Sequence, residues 1–338
     1  MKLTFQPYQL DLKYPFTISN FSRSYTPLVL IQIEHDGIIG YGEASMVPYM
    51  GESWQTATDF SKKVNLGWLK FPFNFEEIST YLDNIASGQP AIKAAIDIAL
   101  HDLTGKLSGV PCYKLFGSNP DKMPATSITI GMDTPEILIQ KVREAKSCKI
   151  LKIKLGGEND KLLIETIRAV SDLPLYVDAN QGWKHRDESL DFIHWLATQG
   201  VQLIEQPMIK TDSASNAWLT ERSPIPIIGD EAVQRLDDVS RASGVYHGIN
   251  IKLMKSAGIY EAHQMIIKAR ELNLKVLIGC MSETSCATLA AASLAPLCDW
   301  ADLDGPFLTR NNPYVDPVFE EGKWVLNDQP GFGIIPKI

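Results

Sequence analysis

Short apolar segments recur at a regular spacing after about residue 120 of this 338-residue chain. Seven of them end at a charged residue or a cysteine, and consecutive end residues are separated by 24, 27, 25, 22, 28 and 22 positions. The end residues are, in order, Lys154, Asp178, Glu205, Asp230, Lys252, Cys280 and Asp302. Each step accommodates one strand and one amphipathic helix, which is the repeating unit of a (β/α) barrel. With the segment 125–131 as an earlier strand, the sequence predicts eight barrel strands.

The residues that precede this repeat have a different pattern. Residues 1 to about 45 alternate between polar and apolar, with a predicted hairpin turn at Asp36 and Gly37, which indicates an antiparallel meander. From about residue 54 to 109 the apolar positions keep helical spacing. A proline-rich junction, "SNPDKMP", follows near residue 120 and indicates a domain boundary.

The predicted fold class is therefore α/β, a modified TIM barrel of the (β/α)7β type with an N-terminal α+β capping domain. The capping domain is expected to span residues 1–120 and the catalytic barrel residues 121–310. The segment from about 311 to 338 is expected to pack back on the first domain.

The composition excludes several classes of partner. The chain has 32 basic and 40 acidic residues, a net charge of −8 and no basic block, so we expect a small-molecule substrate and neither nucleic acid nor membrane. Its five cysteines form no CxxC pair and its N-terminus has no apolar signal core, so we expect reduced thiols and a cytoplasmic protein. Because large barrel enzymes often self-associate, a homo-oligomer is possible.

The end residues of three consecutive predicted strands are carboxylates. Asp178, Glu205 and Asp230 would meet at the C-terminal mouth of the barrel, where barrel enzymes build their active sites. Carboxylate oxygens are the ligands that a hard divalent cation prefers, so Mg²⁺ is the expected occupant. Without a cation the three charges would repel one another and partly protonate.

Lysines are predicted on both sides of these carboxylates. Lys152 and Lys154 are two positions apart on one strand, so both face the barrel interior, and Lys252 lies across the mouth. A nearby metal and a second ammonium favour the neutral form of a lysine, which can then accept a proton. A base on one face and its conjugate acid on the other can remove a proton from a carbon beside a carboxylate and replace it from the opposite side.

The segments "KIKLG", "VDANQGW", "IEQP", "GDEA" and "NIKLMKSAGI", in this order and spacing, closely resemble the muconate-lactonizing subgroup of the enolase superfamily. The resemblance covers nearly the whole chain. It implies that Asp178, Glu205 and Asp230 are Mg²⁺ ligands, that Lys154 and Lys252 are the paired acid/base residues, and that Lys152 stabilises the enolate. Asn180 and Glu231 would support the ligands or cap a helix.

The stretch "DWADLDGP" places Asp302 and Asp304 two residues apart at the eighth strand. In isolation, such a pair is typical of a solvated turn. At the barrel mouth, however, two carboxylates suit a cationic partner such as the α-ammonium of a substrate. A D-x-D at this strand resembles that of the dipeptide epimerases, in which the pair binds the N-terminal amine.

Two first-domain segments, 17–25 and 46–53, resemble the mobile lids of the family. Arg23 matches the position from which acidic-dipeptide epimerases hold a glutamate side chain, although an exposed arginine without a substrate role is nearly as compatible with the sequence. Ser127, on the first barrel strand, falls where the family commonly has a threonine near the substrate.

The expected function is Mg²⁺-dependent epimerisation of the C-terminal residue of an L-Ala-D/L-Glu-type dipeptide by two lysines, a step in reusing cell-wall peptide. The subgroup also contains N-acylamino acid racemases and o-succinylbenzoate synthases, and either activity is an alternative. A non-catalytic binding protein with this fold is a third reading, which the paired lysines disfavour. The side-chain preference of the site is left open by the sequence.

Overall fold

The computed structural model describes residues 1–18, 21–46 and 51–337. The chain begins with an antiparallel sheet in the order β1 (Lys2–Ile18), β2 (Phe21–His35) and β3 (Ile38–Ser45). Asp36 and Gly37 join β2 to β3 with φ values of 52° and 78°, the positive values that a two-residue hairpin turn requires. The predicted meander and its hairpin are confirmed.

Four helices follow the sheet in the described part of the first domain. They are α1 (Trp54–Ser61), α2 (Phe75–Ile85), α3 (Pro90–Ser108) and α4 (Cys112–Leu115). The long helix α3 lies directly on β3, because Gly40 and Gly42 leave room for its backbone. A Cβ at either glycine would overlap a carbonyl oxygen of Ala99 or Ala95.

Eight parallel strands and seven intervening helices occupy residues 127–302, all of which are described. The strands are β4 (Ser127–Ile130), β5 (Ile150–Lys154), β6 (Leu175–Asp178), β7 (Val201–Glu205), β8 (Ile227–Gly229), β9 (Gly248–Lys252), β10 (Lys275–Gly279) and β11 (Trp300–Asp302). The helices are α5 (Pro135–Glu144), α6 (Asp160–Arg168), α7 (Arg186–Thr198), α8 (Ser213–Arg222), α9 (Leu236–Ala242), α10 (Ile259–Glu271) and α11 (Ser285–Ala292). Beyond the strands lie α12 (Gly305–Leu308), β12 (Phe319–Glu320) and β13 (Lys323–Trp324).

The strands pair in chain order from β4 to β11. A parallel bridge between Thr126 and Ala301 brings the first strand beside the last, so the sheet forms the predicted (β/α)7β barrel. Within it, Asp178 pairs in register with both Lys154 and Glu205. The predicted site residues of neighbouring strands therefore end at one height.

The interior of the barrel is built in two layers. The lower layer is a small apolar cluster of inward-facing side chains from five strands: Ile150, Tyr176, Leu203, Ile228 and Leu277. Two residues further along, four of these five strands carry a charged residue at the mouth: Lys152, Asp178, Glu205 and Asp230. The apolar layer closes the barrel below the charged one and keeps water from reaching it through the bottom.

The C-terminal segment returns to the first domain. The backbone N–H of Phe332 donates to Asp102 on α3 (2.9 Å), and that of Cys112 donates to the carbonyl of Gly331 (2.7 Å). The domain limits at 120 and 310, and the packing of the whole segment 311–338 on the first domain, stay predictions. Within the described ranges, no helix combines the length and apolar character that a membrane span requires.

The first domain also contacts the barrel through Glu43 on β3. Both the backbone N–H (2.8 Å) and the hydroxyl of Thr284 donate to this carboxylate. Burial raises the pKa of Glu43 to about 7, although the Thr284 hydrogen bonds act in the opposite direction.

A raised pKa makes Glu43 a source of pH-dependent stability. Its contribution is complete below the ordinary pKa of a glutamate and is lost as pH rises through about 7. We expect Glu43→Gln to reduce the fall in free energy of unfolding between about pH 5 and 8 by up to about 3 kcal/mol. Urea unfolding at several pH values measures this, with Glu34→Gln, at an exposed position of β2, as the control. The same pH dependence of the free energy of unfolding in wild type and Glu43→Gln would contradict the expectation.

Candidate active site

Lys152 lies at the centre of the charged layer. Its Nζ is 2.6 Å from Glu205 Oε2, 2.7 Å from Asp302 Oδ2 and 3.2 Å from Asp178 Oδ2. The side chain is only 2% exposed. Although burial opposes its charge, the three carboxylates hold the pKa of Lys152 well above its ordinary value. This geometry fits Lys152 as a cation that balances the surrounding carboxylates.

Asp178, Glu205 and Asp230 can offer oxygen atoms that all lie within 4.8 Å of one another, and the three residues are buried. Burial raises the pKa of Glu205 to about 8, and the charge of Asp178 adds to this effect. For Asp178, burial is outweighed by Lys154 and Lys152, so its pKa falls to about 2. Three converging hard oxygen donors, one of which is held back from ionising mainly by burial, fit a divalent cation.

Lys154 and Lys252 flank this group from opposite sides. Lys154 Nζ is 2.5 Å from Asp178 Oδ2, and Lys252 Nζ is 2.6 Å from Asp230 Oδ2. Their strands, β5 and β9, are four apart in the eight-stranded order, which places the two amines across the barrel from each other. The predicted two-sided arrangement of lysines is present.

Two residues that sequence reasoning did not single out complete the surroundings of the carboxylates. Asn250 Nδ2 donates to Glu205 Oε1 (2.7 Å). Lys255 Nζ contacts the Asp230 carboxylate and donates to the carbonyl oxygens of Asp230, Val233 and Asn250 at 2.7, 2.9 and 3.0 Å. Both lie in the segment "NIKLMKSAGI", and alternation along β9 from Lys252 would have placed Asn250 inward.

Gln206 holds the backbone beside Asp230. Its Oε1 accepts hydrogen bonds from the N–H groups of Asp230 (3.0 Å) and Ala232 (3.1 Å), while its Nε2 donates to Tyr246 Oη (2.9 Å). The residue is buried and has φ 36°, an unfavourable value for a side chain other than glycine. Strained backbone is thus stabilised at the ends of adjacent strands, next to the carboxylates.

Asp302 and Asp304 are both buried at the mouth. Asp302 accepts from Ser127 Oγ (2.7 Å) as well as from Lys152, and Asp304 accepts from the N–H of Thr129 (2.6 Å). Burial, followed by the charge of Asp302, raises the pKa of Asp304 to about 6. Lys152 therefore gives Asp302 a counter-charge even without a substrate ammonium.

Asn180, Glu231 and Arg23 reach the same mouth. Asn180 Nδ2 donates to Glu231 Oε1 (3.3 Å), while Asn180 Oδ1 and Glu231 Oε2 make no hydrogen bond to the part of the chain that the structure describes. Arg23 Nη2 donates to Ser282 Oγ (2.9 Å), and its guanidinium lies 5.5 Å from the centre of the Phe16 ring.

The segment 17–25 was expected to be a lid loop, but its described residues form the ends of β1 and β2, which pair as antiparallel strands. Positions 19 and 20 lie outside the described residues. So do positions 47–50 of the second predicted lid, 46–53.

These side chains surround one cavity of about 60 Å³. Its walls include both acid/base candidates, Asp230, Asp302 and Asp304, together with Arg23 and Met281. A cavity lined by four lysines and several carboxylates can bind an anionic group at one end and a cationic group at the other. It can also move a proton between its two faces.

The chain matches two sequence profiles in succession. Residues 2–117 match the mandelate racemase / muconate lactonizing enzyme N-terminal domain, and residues 137–337 match the enolase C-terminal domain-like profile. It is 50% identical over 336 residues to the L-Ala-D/L-Glu epimerase of Bacteroides thetaiotaomicron, covering 99% of this chain and 88% of that protein.

Two solved structures are similar throughout. The dipeptide epimerase from Enterococcus faecalis, complexed with Mg and the dipeptide L-Leu-L-Tyr, superposes with a TM-score of 0.90 at 31% identity over 98% of each chain. The N-succinyl Arg/Lys racemase from Bacillus cereus superposes with a TM-score of 0.91 at 30% identity, covering 100% of this chain and 96% of that one.

Asn250 should set the affinity of the carboxylate group for a divalent cation. Asn250→Ala removes the donor that orients Glu205, and a change of this kind typically weakens metal binding by about 10–100-fold. Titration calorimetry with Mg²⁺ measures this directly. Asn216→Ala is the matched control. Asn216 is as buried as Asn250 and also donates hydrogen bonds from its amide, but it lies on the outer helix α8. Unchanged affinity in Asn250→Ala would contradict the expectation.

Proposed function

The chain belongs to the mandelate racemase / muconate lactonizing enzyme family, and from this premise we propose that it is a dipeptide epimerase. Its substrates are L-Ala-D/L-Glu-type dipeptides, in which it inverts the α-carbon of the C-terminal residue. A protein 50% identical to it over nearly its full length is an L-Ala-D/L-Glu epimerase. It is thus an isomerase acting on a small molecule.

The observation that carries the proposal is the pair of buried lysines on opposite walls of one cavity, each beside a carboxylate of the cation-fitting group. A protein that merely bound a carboxylate would gain nothing from a second, opposed amine. An enzyme that inverts a carbon centre needs both, because the proton must leave one face and return to the other.

In this mechanism either Lys154 or Lys252, as the neutral amine, accepts the α-proton of the C-terminal residue at its Nζ. The other lysine, as the ammonium, gives a proton to the opposite face of the same carbon. The number of protons on the pair is unchanged, so the enzyme is ready for the reverse reaction. Lys152 contributes a fixed positive charge nearby and takes no part in the transfer.

Asp178, Glu205 and Asp230 are the residues that would hold Mg²⁺. When bound, the ion would attract the substrate carboxylate and stabilise the negative charge that develops beside the α-carbon. Asn250 keeps Glu205 in place, and Lys255 and Gln206 keep Asp230 in place, through the contacts described above. Asn180 and Glu231 support them from the rim of the cavity.

Asp302 and Asp304 lie on the side of the mouth away from the metal-binding carboxylates and suit the N-terminal ammonium of the dipeptide. Ser127 fixes the orientation of Asp302 through its hydroxyl. Arg23 lies at the cavity wall, from which its guanidinium can pair with an acidic side chain of the second residue.

Racemisation of an N-acylated amino acid is the second candidate function. It is favoured by the Lys152–Asp302 ion pair, since a carboxylate that already has a cation does not require a substrate ammonium. The structural similarity to an N-succinyl Arg/Lys racemase is consistent with this alternative. The two functions differ in whether blocking the amine of a dipeptide stops turnover.

The first test is solvent exchange in D₂O with separate L-Ala-L-Glu and L-Ala-D-Glu. Wild type should epimerise both and incorporate one deuterium at the α-carbon of glutamate. Lys154→Ala and Lys252→Ala should each abolish epimerisation, because one proton path is missing. Each variant should still exchange the α-proton of at most one of the two epimers with solvent deuterium. The epimer that exchanges should differ between the two variants. Mass spectrometry with chiral analysis measures both deuterium incorporation and epimerisation. Full activity of either variant would contradict the two-lysine mechanism.

The second test addresses the ammonium contact. Asp304→Asn preserves the shape of the side chain and an acceptor for Thr129 N–H but removes the charge. We expect KM for L-Ala-L-Glu to rise by about 10–100-fold with little change in kcat, as the loss of one charge-assisted hydrogen bond predicts. N-acetyl-L-Ala-L-Glu should be a poor substrate of wild type. If acetylation and the variant both leave KM unchanged, the racemase reading replaces the epimerase one.

A further inference from the structure

A second cavity of about 150 Å³ lies next to the active-site cavity. The two cavities adjoin at four residues that line both of them: Phe16, Thr129, Ser282 and Leu308. Thr129 also donates its N–H to Asp304. The second cavity therefore begins beside the carboxylate pair.

The position of this cavity in the barrel identifies the part of a dipeptide that faces it. The carboxylates that fit a cation come from β6, β7 and the end of β8, whereas the second cavity lies against β4 and is reached past Asp304, after β11. In a dipeptide, the C-terminal carboxylate and the N-terminal ammonium are at opposite ends. With the carboxylate at the cation site, the residue nearest the second cavity is the first one.

The walls of the cavity are mainly apolar. They include Leu12 and Phe16 of β1, Ile128 and Ile130 of β4, Ala145 after α5, and Phe307 of α12. A cavity of about this volume with such walls can hold a molecule the size of benzene. The methyl side chain of alanine would fill only a small part of it.

Three of the polar or charged side chains that line the rim, those of Tyr14, Glu144 and Lys141, contact neighbouring side chains, and Lys13 lines the rim as well. Tyr14 Oη donates to Glu144 (2.9 Å), and Lys141 Nζ lies 3.1 Å from Asp133 and 5.1 Å from the centre of the Tyr14 ring. An entering charged side chain would have to compete with these contacts. The cavity therefore favours an apolar side chain over a charged one.

We propose that the second cavity is the subsite for the side chain of the first residue of the dipeptide, and that the enzyme accepts aliphatic, thioether or phenyl side chains there in addition to alanine. This inference rests on the proposed function, since it takes the ammonium to lie at Asp302 and Asp304. It extends the substrate class from L-Ala-L-Glu to L-Leu-L-Glu, L-Met-L-Glu and L-Phe-L-Glu.

The experiment compares kcat/KM for L-Ala-L-Glu and L-Leu-L-Glu by deuterium incorporation in D₂O. Wild type should turn over both, with L-Leu-L-Glu at least as good a substrate, because each additional buried methylene favours binding. In Ala145→Leu, which fills the cavity, kcat/KM for L-Leu-L-Glu should fall at least tenfold while that for L-Ala-L-Glu stays within about twofold.

Two further variants at the end of α5 keep the test independent of folding. Ser147→Trp places a large side chain at the exposed edge of the cavity and should reproduce the selective loss. Lys146→Trp is the matched control, because Lys146 is equally exposed but does not line the cavity. Lys146→Trp should leave kcat/KM unchanged for both substrates.

The outcomes separate this proposal from the proposed function. If wild type epimerises L-Ala-L-Glu but not L-Leu-L-Glu, or if the filling variants impair both substrates equally, the subsite assignment is wrong and epimerisation stands. If the filling variants lower kcat/KM only for L-Ala-L-X dipeptides with a bulky second residue, the cavity holds the side chain of the second residue and the subsite assignment is wrong. If no dipeptide exchanges while N-succinyl amino acids do, the proposed function itself fails.

Discussion

The buried charges at the barrel mouth neutralise one another, and this restricts where each strand can end. Lys152 contacts three carboxylates in an environment from which water is nearly excluded. Removing one partner from such a group leaves an uncompensated buried charge, which typically costs about 3–5 kcal/mol. The arrangement is therefore tolerated only where several strands hold every member at a fixed position, and a closed parallel barrel provides this.

Barrel geometry also explains why the lysines of the charged layer differ in position and in the carboxylates that they contact. Pairing in register brings Lys154, Asp178 and Glu205 to one height, and the eightfold order of strands sets Lys252 opposite Lys154. Lysines 154 and 252 each contact a different carboxylate, while Lys152 contacts three. Thus Lys152 balances several carboxylates at once, whereas Lys154 and Lys252 lie in the cavity wall on opposite sides of the barrel.

The sequence was sufficient for the strand order, the meander and the positions of the charged strand ends, because a period of 22 to 28 residues is a local property of the chain. It was insufficient for partners across the barrel. Asp302 lies 150 positions from Lys152, and their contact depends on how the sheet closes. Lys255 follows β9, where alternation no longer tells which way a side chain points. The second cavity could not be foreseen either, because its walls come from segments distant along the chain.

The segment around Ser282 connects the first domain to the walls of the two cavities. Ser282 accepts a hydrogen bond from Arg23 on β2, its carbonyl accepts one from Ser45 on β3 (2.7 Å), and it lines both cavities. The first domain thus fixes a wall of the binding site without contributing to the charged layer. The candidate proton-transfer groups lie on β5 and β9, whereas the residues proposed to meet the substrate side chains lie on β4 and, outside the barrel strands, on β1, β2, α5 and α12. Because these elements can change without disturbing the compensated charges, the same lysine pair can serve different substrates in proteins of this fold.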